Sequence, residues 1–378
     1  MIELYMDIMA VDNVIIDGEE INNVKTLNET DRKCPQCGGT MDYDPALKKM
    51  HCPYCDYTEE VKGSDDRNEI AEEIDFDKAE HMENCNWGEA KKTVTCKNCG
   101  AVTVYDALDV ANECLYCGSN QVMEANDIKT IAPNGVVPFE ITAKEAGERF
   151  SKWLGKKLFC PSKAKKSAEA DAFKGIYLPY WTFDSDTRSR YTGEYGYEKK
   201  RKNSKGETET YYEWHSTAGT FDHFIDDELV CGTNHHDSGI LSSIEPYRTD
   251  DSKKYRPEYI AGFAAERYSI GLKDAWETAK KKIKSKLEGL ISNKIRTEHN
   301  ADSTRNISVN TTYDNIKYKY LMLPVWMSSF EYNGKVYQFM VNGQSGKVGG
   351  KSPISIWRVL AAVAIGVAIL AVIYYMLG

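Results

Sequence analysis

Eight cysteines, arranged as two quartets, are the residues with the clearest chemistry in this sequence. The quartets are Cys34, Cys37, Cys52, Cys55 and Cys96, Cys99, Cys114, Cys117. In each quartet 14 residues separate the two inner cysteines, which is close to the spacing found in zinc sites. Each CxxC turn points two thiolates at one position, and a second turn folded back on the first completes a tetrahedron. The spacing therefore predicts two separate four-thiolate sites that bind zinc.

Iron in a rubredoxin-like site and redox-active dithiols are the alternatives that this spacing leaves open. Four thiolates leave no free coordination position, so the predicted zinc sites are structural and should not catalyse hydrolysis. The chain has 11 cysteines, and an odd count disfavours a complete disulfide framework. The remaining three, Cys85, Cys160 and Cys231, have no role that the sequence assigns.

Short strands and tight turns must hold the thiolates. In the first unit, TMDY and KKMH are expected to pair as strands around the turn DPAL, and Gly38 and Gly39 suit the first knuckle. Between the units, residues 68–82 are expected to form a short acidic helix. The predicted organisation of the N-terminal third is a tail over 1–30, zinc ribbon 1 over 31–60, an acidic helical linker over 61–90 and zinc ribbon 2 over 91–122.

Charge is distributed unevenly along the chain, whose formal net charge is −9. Residues 1–130 hold 12 Lys/Arg and 28 Asp/Glu, a net charge of −16, whereas residues 131–351 hold 35 and 29, a net charge of +6. Phosphate binding needs clustered Lys and Arg, so the acidic N-terminal third of the chain makes nucleic acid an unfavourable ligand. Nucleic-acid binding by the ribbons is kept as the alternative function.

Residues 131–355 are predicted to form an α+β body in the cytoplasm. Thr142 and Glu145 match a capping box that starts a helix reaching about Leu154, and residues 175–225 alternate as a long twisted hairpin. A second helix is expected over 256–268. A longer one should run from Lys273 to about Glu298, with one buried stripe: Trp276, Ala279, Ile283, Leu287 and Ile291.

Two similar segments suggest that the body consists of two related halves, 131–232 and 240–350. LPYW at 178–181 and LPVW at 323–326 each follow a helix and precede hairpin strands. The interpretation rests on four-residue similarity, which is short for a repeat. The whole chain is therefore expected to be a multidomain α+β protein, with two small ribbons before the body and one transmembrane helix after it.

The last segment is predicted to be a transmembrane tail anchor over 357–377. From Val359 to Leu377 there are 19 residues without a charge, enough for about 28 Å of helix. Aromatic residues stand near both ends, and basic residues precede the segment: Trp357, Tyr374, Tyr375, and Lys347, Lys351, Arg358. The positive-inside rule then places residues 1–356 in the cytoplasm, with the protein held at the cell membrane by a single span.

Other chemistry-bearing residues give weaker patterns. His235 and His236 near Cys231 could join a third metal site, but they lie in the polar run GTNHHDSG and are expected to be loop residues. Asp184 and Asp186 share a strand face without a nucleophile or base nearby. GQSGKVGGKS does not fit the P-loop pattern and is expected to be a hairpin turn. We therefore expect a protein that is not an enzyme.

These features resemble a family of bacterial membrane-anchored proteins with TFIIB-type tandem zinc ribbons, some labelled primosomal-helicase-like. The matching elements are CPQCGG, HCPYC, NWGEAKKTVTCKNCG, LPYWTFDSDTRSRYTG, PEYIAGFAAERY, LPVW, VNGQSGKV followed by SPIS, and the apolar tail. The helicase label transfers poorly because the sequence has no Walker A motif. The resemblance implies a role in phage-shock-type membrane-stress systems, with a flotillin-like or virion-core-like scaffold and a PspA-type protein as partners.

The expected function is that of a membrane-tethered cytoplasmic adaptor, or scaffold, that recruits protein partners to the membrane. A body that binds lipid or a small ligand between aromatic strands, around Trp181 and Trp214, is a third class of function. Core packing is the expected role of those two rings. The sequence leaves the oligomeric state open.

The charge distribution predicts that the ribbon region, residues 31–122, binds neither DNA nor RNA at physiological salt. Phosphate contacts would release counterions and make binding weaken steeply with salt. Fluorescence anisotropy with labelled oligonucleotides across a salt series measures this, and salt-dependent binding would make nucleic-acid recognition the leading function.

Overall fold

The computed structural model describes residues 33–61, 70–81, 91–97, 102–106, 122–124, 133–167, 173–202, 204, 206–333 and 335–377. Over these residues the chain is a mixed α and β protein with a three-stranded sheet, a twelve-stranded sheet and five α-helices. The small sheet belongs to the first cysteine unit. The large sheet forms the body.

The elements follow in chain order. The strands are β1 (Asp42–Asp44), β2 (Lys49–His51), β3 (Thr58–Glu59), β4 (Ile74–Asp75), β5 (Lys91–Cys96), β6 (Val102–Asp106), β7 (Val122–Glu124), β8 (Gly135–Val136), β9 (Lys174–Lys202), β10 (Thr208–Cys231), β11 (Lys253–Lys254), β12 (Ala264–Glu266), β13 (Ser303–Tyr332), β14 (Lys335–Asn342) and β15 (Val348–Gly350). The α-helices are α1 (Ala143–Gly155), α2 (Ser162–Ser167), α3 (Ser238–Ile244), α4 (Leu272–His299) and α5 (Ile356–Leu377). Three 3₁₀ helices cover Phe76–His81, Thr249–Asp251 and Pro257–Ile260.

Two long antiparallel strands, β9 and β13, form the centre of the body. LPYW lies in β9 and LPVW in β13, and the two segments pair with each other, so that Leu178 stands opposite Leu323. Alternate side chains enter two cores. Tyr177 and Trp181 pack with residues of α1 and α4, whereas Ile176 packs with residues of α3 on the other face. Burial on both faces explains why these segments are apolar without alternation.

The two central strands have matching neighbours. β12 pairs in parallel with β9 at Ile176 and Tyr177, and β8 pairs in parallel with β13 at Leu321 and Met322. Further along the same edges, β10 pairs antiparallel with β9, and β14 pairs antiparallel with β13. The connections around β9 therefore repeat around β13, about an approximate two-fold axis that passes between the paired leucines.

The hydrogen bonds of the two LPxW segments correspond as well. The Trp181 indole N–H donates to the carbonyl of Ile270, just before α4, at 2.9 Å. The Trp326 indole N–H donates to the carbonyl of Ile141, just before α1, at 3.0 Å. Two backbone bonds match in the same way: Gly232 N–H to Pro179 O at 2.7 Å, and Gly343 N–H to Pro324 O at 2.8 Å. Each tryptophan thus ties its strand to the start of a helix.

The expected helices and hairpin around this centre are confirmed. The side chains of Thr142 and Glu145 form the reciprocal capping box at the start of α1. All five residues of the apolar stripe in α4 are buried. β9 and β10 pair over nearly their whole length as the long hairpin. The turn after Asn342 uses Gly346, whose φ of +74° suits glycine.

The helix expected over 256–268 is wrong. A 3₁₀ helix, Pro257–Ile260, is followed by strand β12. Gly262 has φ of +80°, which interrupts a right-handed helix. The alanines after it pair with β9 and β6, so sheet hydrogen bonds override their helix propensity.

The acidic segment after ribbon 1 also differs from the expected helix over 68–82. Its described part, residues 70–81, contains strand β4 and a 3₁₀ helix. β4 pairs with β13 at Lys317 and Tyr318, and the Phe76 ring lies 6.0 Å from the Trp276 ring. This part is therefore packed into the body.

Helix α5 is long and apolar enough to cross a membrane. Over Ile356–Met376 it has 21 residues and a mean hydropathy of 2.5. The rest of the described chain buries 0% of its most apolar stretch. A core helix of this composition would be covered by other elements. Its bounds agree with the predicted tail, 357–377, within one residue.

Replacing Trp181 or Trp326 with Phe should lower the free energy of unfolding by about 1–3 kcal/mol each, because each change leaves a backbone carbonyl without its donor. Chemical denaturation of the detergent-solubilised protein measures both. Similar losses are expected because the two bonds occupy matching places. A neutral effect of either substitution would contradict this account of the helix attachments.

Candidate metal centre

The first cysteine quartet converges on one point. The Sγ atoms of Cys34, Cys37, Cys52 and Cys55 all lie within 4.8 Å of one another. Two of the Sγ–Sγ distances, Cys34 to Cys55 and Cys37 to Cys52, are 3.5 Å. Zinc–sulfur bonds of about 2.3 Å put the sulfurs of a tetrahedron ~3.8 Å apart, whereas a disulfide bond is about 2.05 Å. The thiols are free, and their spacing is compatible with a zinc site.

Local hydrogen bonds build the two CxxC turns. Gly38 N–H donates to Cys34 O at 2.8 Å, and Asp56 N–H donates to Cys52 O at 2.9 Å. Both donors have positive φ, 75° for Gly38 and 59° for Asp56, as a tight knuckle requires. The expected hairpin between the turns is confirmed by the antiparallel pairing of β1 with β2. Its turn is closed by the Asp44 carboxylate, which accepts two backbone N–H groups.

The thiols differ in how readily they ionise. Burial raises the pKa of Cys34, but the backbone N–H groups of Cys37 and Gln36 outweigh it and lower that pKa to about 7. At Cys55 the backbone N–H of Tyr57 lowers the pKa, yet burial and the neighbouring sulfurs raise it to about 12. Four ionised thiolates therefore require a cation between them, which is the property of a structural metal site.

The cysteine unit is docked on the body. Tyr43, which is 5% exposed, places its ring 5.8 Å from the Tyr259 ring in an edge-on arrangement. The Tyr43 N–H donates to Ala261 O at 3.2 Å. A side chain at Gly262 would meet Asp42 at 3.0 Å, so glycine permits the close approach. The metal centre is thereby held against the segment that leads into β12.

The second quartet lies almost wholly outside the described residues. Cys96 is the last residue of β5, and Cys99, Cys114 and Cys117 lie outside the residues that the structure describes. The described strands of this unit, β5 to β7, do not stand apart from the body. β6 pairs with β12, which joins the three strands to the large sheet.

The two adjacent histidines occupy a place that sequence patterns did not indicate. They flank the carboxylate of Glu266, which is 0% exposed. His235 Nδ1 lies 2.6 Å from Oε1, and His236 Nε2 lies 2.9 Å from Oε2. The Thr233 hydroxyl donates to Oε1 at 2.6 Å. No set of three donors that includes these residues meets the 4.8 Å spacing of a metal site in the described chain, so hydrogen bonds account for the cluster.

Electrostatics explain how a buried carboxylate is tolerated there. Burial raises the pKa of Glu266, but hydrogen bonds from His235, His236 and Thr233 outweigh it and lower that pKa to about 2. The hydrogen bond between His235 and Glu266 also raises the pKa of His235. Glu266 gave no sequence signal because it ends an Ala-Ala-Glu run typical of a helix. Val137, which follows β8, occupies the position beside β13 that corresponds to that of Glu266 beside β9. The strand pairing therefore does not by itself require a carboxylate at this position.

The predicted aspartate pair is divided between two environments. Asp186 is exposed and accepts a hydrogen bond from Asn315 at 2.8 Å. Asp184 is buried, and burial together with neighbouring carboxylates raises its pKa to about 7. Its Oδ1 accepts the N–H of Asp227 at 2.6 Å, beside a bulge in β10. The Asp184 carboxyl group therefore stabilises the bulge in β10 by accepting this hydrogen bond.

The two tryptophans named for a ligand pocket lie apart. Trp181 is fully buried and stacks on Tyr320, with ring centroids 4.8 Å apart. Trp214 lies far along β10, where it packs over Gly196 and under the Arg305 guanidinium, 4.1 Å from its ring. Trp181 is therefore a core residue, as expected.

Comparison with known proteins identifies a similar uncharacterized chain. This protein is 29% identical over 342 residues to "Uncharacterized protein YdjG" of Bacillus subtilis (strain 168), an alignment that covers 87% of this chain and 92% of the relative. No protein-family profile matches the chain. No solved structure matches it either. The relative's description names no activity, ligand or partner.

Replacing Cys34 with Ser should remove the metal ion bound by the first quartet and lower the zinc content per chain, because an alcohol is a poor replacement for a thiolate in a tetrahedral zinc site. Mass spectrometry of metals in the purified protein measures the stoichiometry. Cys231→Ser is the matched control and should leave zinc unchanged, since that thiol lies in the body. Undiminished zinc after the Cys34 change would contradict the pairing of the first quartet.

Replacing Glu266 with Gln should destabilise the protein by about 3–5 kcal/mol, because it removes the charge that two histidines and a threonine surround. The Glu266 contribution is present above its ordinary pKa of 4.5 and is lost as pH falls toward about 2. The His235 contribution is present below 6.5 and is lost as pH rises through its raised pKa. The difference in denaturation midpoint between wild type and variant should therefore be largest between pH 4.5 and 6.5. A difference independent of pH would contradict the charged pair.

Proposed function

We propose that this protein is a membrane-tethered cytoplasmic adaptor that recruits protein partners to the membrane. The observation that carries the proposal is α5, an apolar helix whose long uncharged stretch is not buried by the described part of the chain. A lipid bilayer would remove this apolar surface from water, whereas the other described elements of the chain leave it exposed. Residues 1–356 then face the cytoplasm, where basic residues before the helix favour retention and thiols remain reduced.

Two structural zinc ions are part of this proposal, one in each cysteine quartet. The closed four-thiolate arrangement of the first quartet supports it, because such a site has no position for a substrate. Zinc binding can supply on the order of 10 kcal/mol to fold a unit that is too small for a core of its own. We therefore assign the metal a folding role and the protein no catalytic step.

The first ribbon offers apolar side chains that face solvent. Leu47, in the hairpin turn, is 46% exposed, and Tyr54, in the second knuckle, is 76% exposed. Because Tyr43 fixes the unit on the body, these side chains are presented at a constant position. Exposed tyrosine is a frequent anchor in protein interfaces. The partners sought first are those that the family resemblance implies, a flotillin-like scaffold and a PspA-type protein.

Crosslinking of the full chain in native membranes, followed by mass spectrometry, tests the adaptor role. Deleting residues 1–125 would confuse the result, because β4 and β5 to β7 belong to the body sheet. Substitutions of exposed residues leave these strands in place and are therefore preferable to the deletion. The double variant Leu47→Ser, Tyr54→Ser should retain its zinc and lose crosslinked partners.

The matched control is Tyr211→Ser, Tyr212→Ser on the long hairpin, where both rings are 39% exposed. It should keep the wild-type partner set. An unchanged partner set in the ribbon variant would remove the ribbon from the recruiting surface, and a wild-type chain that crosslinks to no other protein would contradict the adaptor role.

A further inference from the structure

The loop between α1 and α2 exposes two large apolar side chains. Leu158 is 78% exposed and Phe159 is 41% exposed, while Cys160 beside them is 1% exposed. A single exposed leucine is ordinary on a protein surface. Here two such residues are adjacent at the tip of a connecting loop, and the contacts of that loop indicate which surface they face.

This loop is attached to the first turn of α5. The Arg358 guanidinium donates to Leu158 O at 3.0 Å, to Cys160 O at 2.7 Å and to the Ser162 hydroxyl at 2.7 Å. The Ser355 N–H donates to Phe159 O at 2.8 Å. The loop is therefore fixed at the level where α5 leaves the body, beside further exposed apolar side chains: Ile354, Ile356 and Trp357.

The charged residues in the chain segment that contains the loop are all basic. Residues 149–168 contain seven Lys or Arg and no Asp or Glu, although the whole chain has a net charge of −9. Lys152, Lys156, Lys157 and Lys163 are exposed. Lys157 Nζ lies 4.4 Å from the centre of the Trp153 ring, so a basic and an aromatic side chain stand together. Lysine and tryptophan are the residues that favour the headgroup region of a bilayer.

We infer that residues 156–163 form a second membrane contact that docks on anionic lipid. Leu158 and Phe159 enter the boundary between headgroups and acyl chains, and the surrounding lysines lie among the lipid phosphates. Because Arg358 joins the loop to α5, the two contacts hold the body close to the membrane in one orientation. The inference rests on the proposed membrane span and adds a lipid-binding surface to it.

Photocrosslinking of the full chain in vesicles tests this directly. The vesicles contain three parts phosphatidylcholine and one part phosphatidylglycerol, and p-benzoyl-phenylalanine replaces Phe159. A lipid adduct at this position, detected by mass spectrometry, is expected. The matched control replaces Phe224, which is 55% exposed on β10, and should give no lipid adduct.

A third probe at Ile365, within α5, separates the two proposals. Lipid adducts at Ile365 without adducts at Phe159 overturn the docking loop and leave the membrane span standing. Absence of lipid adducts at both positions overturns the span as well. A protein adduct at Phe159 in native membranes, in place of lipid, also overturns the inference, because a partner would then cover the loop.

Trypsin cleavage after Lys156 and Lys157 gives an independent readout. Cleavage should be slower by about fivefold or more in the anionic vesicles than in phosphatidylcholine alone. The variant Leu158→Ser, Phe159→Ser should lose this protection, and both residues are exposed enough to change without disturbing the core. Cleavage at the lysines of the long hairpin serves as the internal control. Equal cleavage in both vesicle types would overturn the role of anionic lipid.

Discussion

The antiparallel pairing of β9 with β13 is the interaction on which the rest of the structure depends. Both strands are apolar on two faces where LPYW meets LPVW, and this stretch can be buried only if helices cover each side. The tryptophan of each segment attaches the start of one helix, α4 or α1, to the strand. Every other strand of the large sheet joins the outer edges of these two strands, directly or through one or more intervening strands.

The approximate two-fold relation of the body accounts for its architecture without making its halves identical. The first half has the short helix α1 and the long hairpin β9–β10, whereas the second has the long helix α4 and the short hairpin β14. α4 packs along the long hairpin, so the longest helix covers the longest sheet extension. The buried Glu266 cluster occurs in one half alone, where Val137 fills the corresponding place in the other.

Contacts at two separate places on the body join it to the candidate metal centre and to the apolar helix. Tyr43 and Tyr259 hold the four-thiolate unit, while Arg358 holds the start of α5 against the loop after α1. Neither connection is a free linker within the described residues. Under the proposed adaptor function, these attachments hold the first cysteine unit at a defined place relative to the membrane, which increases the effective concentration of a partner found there.

The elements that follow from local chemistry were determined by the sequence itself. Cysteine spacing predicted the four-thiolate cluster at Cys34 to Cys55, and the capping box predicted the start of α1. Apolar periodicity predicted α4, and an uncharged apolar run predicted α5. Tertiary structure alone decided the remaining elements, because their conformation depends on contacts with residues that are distant in the chain. Residues 264–266 have helix propensity but become a strand, since β9 and β6 offer open edges. The acidic segment after ribbon 1 likewise joins β13, and Glu266 acquires its histidines only when β12 lies beside the loop that follows β10.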